Sequence, residues 1–352
     1  MVTEASAWFL EHAGQPLVRR ALALPALKLD EALVEVLACG LCHTDLGYAD
    51  GSVRPNHPLP LVLGHEAVGY VRECSDPSLL GKPVIVPAVL PCGRCALCQN
   101  GRGNACTAQK MPGNDIHGGF ATHMVVPAAP LVRLDAAPPG TDLRLLSVVA
   151  DAVSTAWQAV LRAKVQPGDA VVVIGAGGVG AFVAQIAKAL DAQVVCCDVR
   201  DDKLAQVAAV GADVTINVRG KAPKDVRREV HGAFNHWGVP SLNWRIFECS
   251  GTPDGQTLAF TFLARAATMV QVGFSAKPVE LRFSNLMAFD ATIHGTWGCP
   301  PEAYPDVLSL IWQGKIQLAP FCEVAPMSEL NQALADMAAH KLEKRMILDP
   351  QH

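Results

Sequence analysis

An apolar pentapeptide, Ala170-Val-Val-Val-Ile174, runs directly into Gly175-Ala-Gly177-Gly178-Val179-Gly180, and this junction constrains the chain more than any other stretch. The pentapeptide reads as a strand buried on both faces. Val179, Phe182, Val183, Ile186, Ala187 and Leu190 then recur at helical spacing. Gly175 can make the tight turn, Gly177 lets the backbone approach a pyrophosphate, and Gly180 lets helix and strand pack closely. With Gly178 and Val179 the loop opens a helix whose unpaired N–H groups and positive dipole end suit phosphates. The next strand ends in Asp198, about 20 residues on, where an acid binds ribose hydroxyls. A carboxylate there repels a 2′-phosphate, so NAD is favoured over NADP despite Arg200 nearby. The alternative is a glycine turn in an α/β domain that binds nothing.

The surroundings agree with a doubly wound parallel sheet. Strand-like Val194–Cys197, Val214–Asn217, Arg245–Cys249 and Thr268–Gly273 alternate with helix-like Lys203–Val210, Asp225–Phe234 and Thr257–Leu263. Residues 1–150 differ: short apolar runs at Ala32–Ala38, Ala67–Val71, Pro83–Val89 and Ala121–Pro127 are broken by Gly, Pro, Asn or Asp, as in a β-rich barrel or sandwich. Beyond Trp297 come two helical stretches, Pro305–Gln313 and Ser328–His340, and a strand-like Arg345–Leu348. That tail is too short for a domain and is expected to pack back on the first one.

With 352 residues, 50% apolar and 18% charged, the chain has room for about two domains with real cores and is no disordered polymer. Its 29 Gly and 25 Pro show no collagen-like period, and a net charge of −4 gives no general attraction to nucleic acid or anionic membranes. The longest apolar run, Ala170–Ala184, is glycine-rich and falls short of the roughly 20 residues a membrane span needs. Glu4 stands where a signal peptide would carry Lys or Arg. The expectation is a soluble, cytoplasmic protein.

Twelve cysteines call for explanation, because a reducing cytosol gives them no disulfide framework. Four form Cys92-x2-Cys95-x2-Cys98-x7-Cys106, a thiolate set suited to a closed tetrahedral zinc site. Ferredoxin motifs open the same way but continue with x3-Cys-Pro, whereas here the fourth cysteine lies eight positions on and Thr107 follows it. Iron–sulfur and redox-switch readings stay as alternatives. The lobe is polar and glycine-rich, and metal binding, worth on the order of 10 kcal/mol in small peptides, would order it.

A dispersed constellation remains: Cys42-His43-Thr44-Asp45, then Gly64-His65-Glu66, then Asp151. Singly, a Cys is a small core residue and an Asp before a helix is an N-cap. Together they offer thiolate, imidazole and carboxylate, which with a water make an open catalytic zinc site. Zinc polarises an alcohol oxygen, so a dinucleotide fold beside it points to alcohol–carbonyl redox chemistry.

The motifs CHTD at 42–45, GHE at 64–66, the cysteine lobe, GGFATHMVVP at 118–127 and GAGGVG at 175–180 together resemble the zinc-dependent medium-chain alcohol dehydrogenase family over essentially the whole chain. The resemblance implies an α/β architecture: a GroES-like β-rich catalytic domain at 1–151 carrying the zinc lobe at about 91–107, a Rossmann NAD-binding domain at 152–296, and a segment 297–352 returning to the first. It further implies an active site in the cleft between the domains and a homodimer or homotetramer. Two zinc ions per chain are implied, a structural one on Cys92, Cys95, Cys98 and Cys106 and a catalytic one on Cys42, His65 and Asp151. The last is found by counting back four positions from Thr155, where relatives carry Cys or Glu. Glu66 resembles a glutamate able to approach or join the metal, and Asp45 a carboxylate that orients the ligand histidine. Thr44 matches the hydroxyl that takes the alcohol's proton, and His43 a position facing the cofactor pyrophosphate. Gly47 stands where some relatives carry a relay histidine, so the proton's exit ends at solvent or at His57.

MPGNDI at 111–116, ADAVST at 150–155 and RIFECSGT at 245–252 resemble one branch, the 6-hydroxycyclohex-1-ene-1-carbonyl-CoA dehydrogenases of anaerobic benzoyl-CoA breakdown. This implies a CoA thioester substrate, a 6-oxo product, and an enone that Glu66 or Asp151 is placed to help hydrate. Arg19-Arg20 and Arg227-Arg228 read as solvated pairs rather than a CoA phosphate site. The alternatives are a general secondary-alcohol or polyol dehydrogenase, a zinc-free quinone reductase, and a non-catalytic relative.

Overall fold

Ten residues, Glu31–Gly40, form the strand on which the first half of the chain is organised. One edge pairs antiparallel with Glu66–Cys74; the other is shared by His123–Pro127 and, at Cys39 and Gly40, by Arg345–Asp349. With both edges taken, the strand is buried except at Glu31, Glu35 and Leu37. Two register shifts, between Leu33 and Val34 and between Val36 and Ala38, bend it as bulges do. Cys322–Pro326, parallel to Arg345–Asp349, extends the sheet on one side, and Pro83–Val86 with Val132–Arg133 extends it on the other. A smaller sheet of Val18–Ala21, Ser6–Leu10 and Leu61–Val62 packs with it around Val34, Val36, Leu63, Phe120 and Met124. The expected strand over 83–89 ends at Val86, where Pro87 lacks the N–H to continue the ladder.

A computed structural model describes residues 5–351, and Glu4 lies outside the described residues. Residues 1–151, 298–306 and 318–352 form one compact unit, and 152–297 with 307–317 form the second. The tail is therefore divided: 307–317 packs in the second unit, not with the first as the whole of 297–352 is expected to. The end of this segment is tied down by Gln185, a buried side chain whose Oε1 accepts from Gln317 N (2.8 Å) and whose Nε2 donates to Gln317 O (3.4 Å), and Val307, Leu308 and Ile316 within it are buried. Among the described residues no helix is long and apolar enough to cross a membrane.

The second unit bears out the doubly wound expectation. Its strands lie in the order Val214–Asn217, Gln193–Asp198, Ala170–Ile174, Arg245–Glu248, Thr268–Gln271, Thr292–Gly295, all parallel. The order reverses beside Ala170–Ile174. With right-handed crossovers the connecting helices change faces there, and the carboxyl ends of the strands open a crevice. Helices Ala152–Ala163 and Gly180–Ala189 pack together, as do Pro223–His236 and Pro253–Thr261. Ala170–Ile174 is buried throughout, which explains its unbroken apolar reading.

Candidate active site

Asp45 ties together two of the segments that carry donors. Helix His43–Asp50 begins after Cys42, whose N–H donates to Asp45 Oδ2 (3.0 Å), a reach-back from the first helical turn. Asp45 Oδ1 accepts from Gly64 N (3.0 Å) and lies 3.4 Å from His65 Nδ1. Gly64 has φ +95°, and a Cβ there would stand 2.8 Å from Cys39 Sγ and 2.9 Å from Phe120 N, so only glycine carries the chain into His65. The third segment is anchored at Ala150, whose carbonyl accepts from Ala88 N (3.0 Å) and Tyr304 Oη (2.7 Å). Asp151 follows at the end of the short helix Leu143–Ala150, which the hydrophobic pattern did not signal.

These anchors bring the donors together. Asp151 Oδ2 is 3.8 Å from Cys42 Sγ and 3.5 Å from His65 Nε2, and Cys42, His65, Glu66 and Asp151 each offer a ligand atom within 4.8 Å of the others. A tetrahedral zinc with bonds of about 2.3 Å to sulfur and 2.0–2.1 Å to nitrogen or oxygen separates its ligands by about 3.3–3.6 Å. His65 is 1% exposed, yet neither ring nitrogen has a hydrogen-bond partner among the described residues, and neither does Glu66 Oε2. Burial opposes an imidazolium, but the Asp45 carboxylate, aided by Asp151 and Cys42, outweighs it and raises the His65 pKa well above its ordinary value. The pocket asks for a cation, and a divalent metal fits it. Thr44 Oγ1 lies 3.7 Å from Cys42 Sγ, while His43 is exposed. His57 Nδ1 is 2.6 Å from the Pro58 carbonyl and its ring lies 5.2 Å from that of His117.

Sequence reading missed Arg345. Its Nη1 donates to Glu66 Oε1 at 2.7 Å across 279 positions of chain, and no local motif marks it. Burial pushes the Glu66 carboxyl up to about 7 against the pull of this guanidinium. The pairing of Arg345–Asp349 with Gly40 is what delivers the arginine.

Cys92, Cys95, Cys98 and Cys106 also converge, with Cys95 Sγ 3.5 Å from Cys98 Sγ and 3.8 Å from Cys106 Sγ. Tetrahedral zinc–thiolate bonds of about 2.3 Å give sulfur separations of about 3.8 Å. Backbone N–H groups of Cys92 (3.4 Å) and Ala108 (3.3 Å) point at Cys106 Sγ, as thiolates attract. The Cys98 N–H is the main influence drawing the Cys95 thiol down to about 6.

In the second unit two of the glycines answer to backbone demands. Gly175 has φ +91°, and a Cβ there would meet Ser250 N at 2.7 Å; a Cβ on Gly180 would stand 1.8 Å from Gly175 O. A Cβ on Gly177 would meet nothing within 4 Å, so packing within the chain does not require glycine there. Gly178 is exposed, and Val179 precedes helix Gly180–Ala189. Asp198 Oδ2 accepts from Ala176 N (2.7 Å) and Oδ1 from Arg200 N (2.9 Å), which locks the acid beside the loop.

Comparison with known proteins agrees with both units. The model of the alcohol dehydrogenase GroES-like domain matches residues 28–136, and that of the zinc-binding dehydrogenases matches 178–313. An alcohol dehydrogenase of Geobacillus stearothermophilus is 29% identical over 329 residues, covering 92% of this chain and 93% of its own. In fold the chain resembles galactitol-1-phosphate dehydrogenase from Escherichia coli, with TM-score 0.87 and 24% identity over 98% of this chain and 100% of that one. It also resembles a Sinorhizobium meliloti 1021 protein solved with bound NADP, with TM-score 0.85 and 23% identity over 99% and 100% of the two chains. Two zinc-compatible donor sets, a Rossmann loop and a GroES-like domain on one chain leave one conclusion: the protein is an oxidoreductase of the zinc-dependent medium-chain alcohol dehydrogenase family.

Proposed function

We propose that this enzyme oxidises a secondary alcohol on a ring with NAD, and that its substrate is 6-hydroxycyclohex-1-ene-1-carbonyl-CoA. The observation that carries the chemistry is the approach of Cys42 Sγ and His65 Nε2 to Asp151 Oδ2 around a buried, otherwise unpartnered imidazole. These three residues would hold the catalytic zinc, with Glu66 beside them, and the four lobe cysteines the structural one. Bound zinc supplies a Lewis acid that acidifies the alcohol, and bound NAD supplies the hydride acceptor. Asp45 presents its carboxylate to Nδ1 of His65, which leaves Nε2 for the metal. Thr44 Oγ1 takes the alcohol's proton. The N–H groups at Gly175–Gly180 receive the pyrophosphate, His43 faces it, and Asp198 receives the ribose hydroxyls.

Two points support NAD over NADP. The Asp198 carboxylate lies beside the glycine loop, where it would repel a 2′-phosphate, and Arg200 turns its Nε to Asp202 Oδ1 (3.0 Å). Asp198→Asn removes the charge but keeps an oxygen for Ala176 N. It should narrow the preference for NAD by at least about tenfold, some 1.4 kcal/mol, in kcat/KM measured with each cofactor.

The ring substrate rests on the stretches 111–116, 150–155 and 245–252. NADH formation with the hydroxy-enoyl-CoA, beside cyclohexanol, simple secondary alcohols and a polyol, is the test. The CoA ester should give the highest kcat/KM; equal or better turnover of the simple alcohols would instead make this a general secondary-alcohol dehydrogenase. Incubating the 6-oxo product without NAD tests the accompanying hydration, assisted by Glu66 or Asp151; no enzyme-dependent hydration would reject it. The working form is a homodimer or homotetramer, and sedimentation distinguishes the two.

A further inference from the structure

Arg345 ends where the donors meet, with its side chain only 9% exposed. Its Nη1 donates to Glu66 Oε1 (2.7 Å) and to Leu41 O (3.2 Å). The other Glu66 oxygen, Oε2, is buried without a hydrogen-bond partner. Gly40 makes room for it: a Cβ there would stand 2.2 Å from Oε2. Gly40 is paired with Glu66 on one side and Ile347 on the other, so three adjacent strands build this arrangement.

Charge balance explains why such an arrangement matters. A divalent ion is neutralised by the Cys42 thiolate and the Asp151 carboxylate, and Arg345 neutralises the Glu66 carboxylate. The remaining buried carboxylate, Asp45, is held by the N–H groups of Cys42 and Gly64. Without the arginine, Glu66 would be a buried carboxyl with no cation of its own and one ligand atom within 4.8 Å of the other donors. The nearest remaining cation would be the metal.

We propose that Arg345 is a positioning residue that keeps Glu66 out of the metal's resting ligand set by anchoring Oε1, and so keeps the fourth metal position open for the alcohol. This rests on the reading of Cys42, His65 and Asp151 as ligands.

Cobalt(II) exchanged for zinc reports coordination through its visible absorption, and the four-cysteine lobe contributes a background common to all variants. In Arg345→Met, Glu66 should take the fourth position on the metal in place of water; the catalytic-site bands then shift as a carboxylate replaces that ligand. The KM for the alcohol should rise more than kcat falls. Adding Glu66→Gln to Arg345→Met should restore the original spectrum, since no anion is left to migrate. An unchanged spectrum in Arg345→Met, or a change that persists in the double variant, would overturn the proposal. Should Arg345→Met not fold, Arg345→Lys carries the test. Its shorter reach should give an intermediate spectrum that Glu66→Gln reverts, and an unaltered spectrum counts against the proposal. Cys42→Ala separates the two levels: if it removes no part of the cobalt spectrum, the ligand reading itself fails and the role of Arg345 falls with it.

Discussion

Cys42→Ala should lower kcat/KM for alcohol oxidation at least about 10³-fold while the protein still folds and binds dinucleotide. The sulfur is one of the three proposed donors, and the two that remain would not hold zinc firmly against water. Lewis-acid stabilisation of a developing alkoxide is worth several kcal/mol, and each 1.36 kcal/mol is a factor of ten in rate. The fold should survive because the backbone N–H of residue 42 still donates to Asp45 Oδ2, and Asp45 still holds Gly64. Zinc content should fall from about two ions per chain to about one. A variant that keeps both ions and most of its activity would show that Cys42 is a small core residue and nothing more.

Cys95→Ser should cost stability rather than chemistry. Residues 92–106 hold two short helical turns, Ala96–Gln99 and Gly103–Ala105, and apolar burial there is sparse. The neck is closed by paired bonds between Leu90 and Lys110, each 2.9 Å, so disorder released by losing the metal should stop at that point. Loss of about 5 kcal/mol, a fraction of what a structural zinc contributes in peptides, would lower the melting temperature by about 10–20 °C. Limited proteolysis should then cut between residues 93 and 109. Chelator added to the native enzyme should reproduce both effects. A melting temperature indifferent to the substitution and to chelator would mean that the lobe is held by its peptide contacts alone.

Local signals were readable where local chemistry decides the structure. The spacing of Gly175, Gly177 and Gly180 announces three backbone demands, and the φ of Gly175 and the crowding at Gly180 are two of them. The cysteine spacing at 92–106 likewise encodes its own convergence, since so short a segment has few ways to present four sulfurs. Asp151 was found only by counting from Thr155 against the family pattern. Its placement depends on its neighbour Ala150, which is bonded to Ala88, 62 positions before Ala150, and to Tyr304, 154 positions after it, neither of which a local window can see. Arg345 and Gly40 escaped for the same reason: one neutralises Glu66 and the other makes room for it, and sheet pairing alone brings them together. The division of the tail at 307–317 is equally non-local: the buried amide of Gln185 holds Gln317, 132 positions further along the chain.

Crystals of the purified enzyme, measured on both sides of the zinc absorption edge, address the central claim directly. Two anomalous peaks per chain should appear, one among the lobe cysteines and one at about 2.0–2.3 Å from Cys42 Sγ, His65 Nε2 and a carboxylate oxygen of Asp151. A lobe peak alone, or a second peak from which Asp151 has turned away, would contradict the assignment of this site.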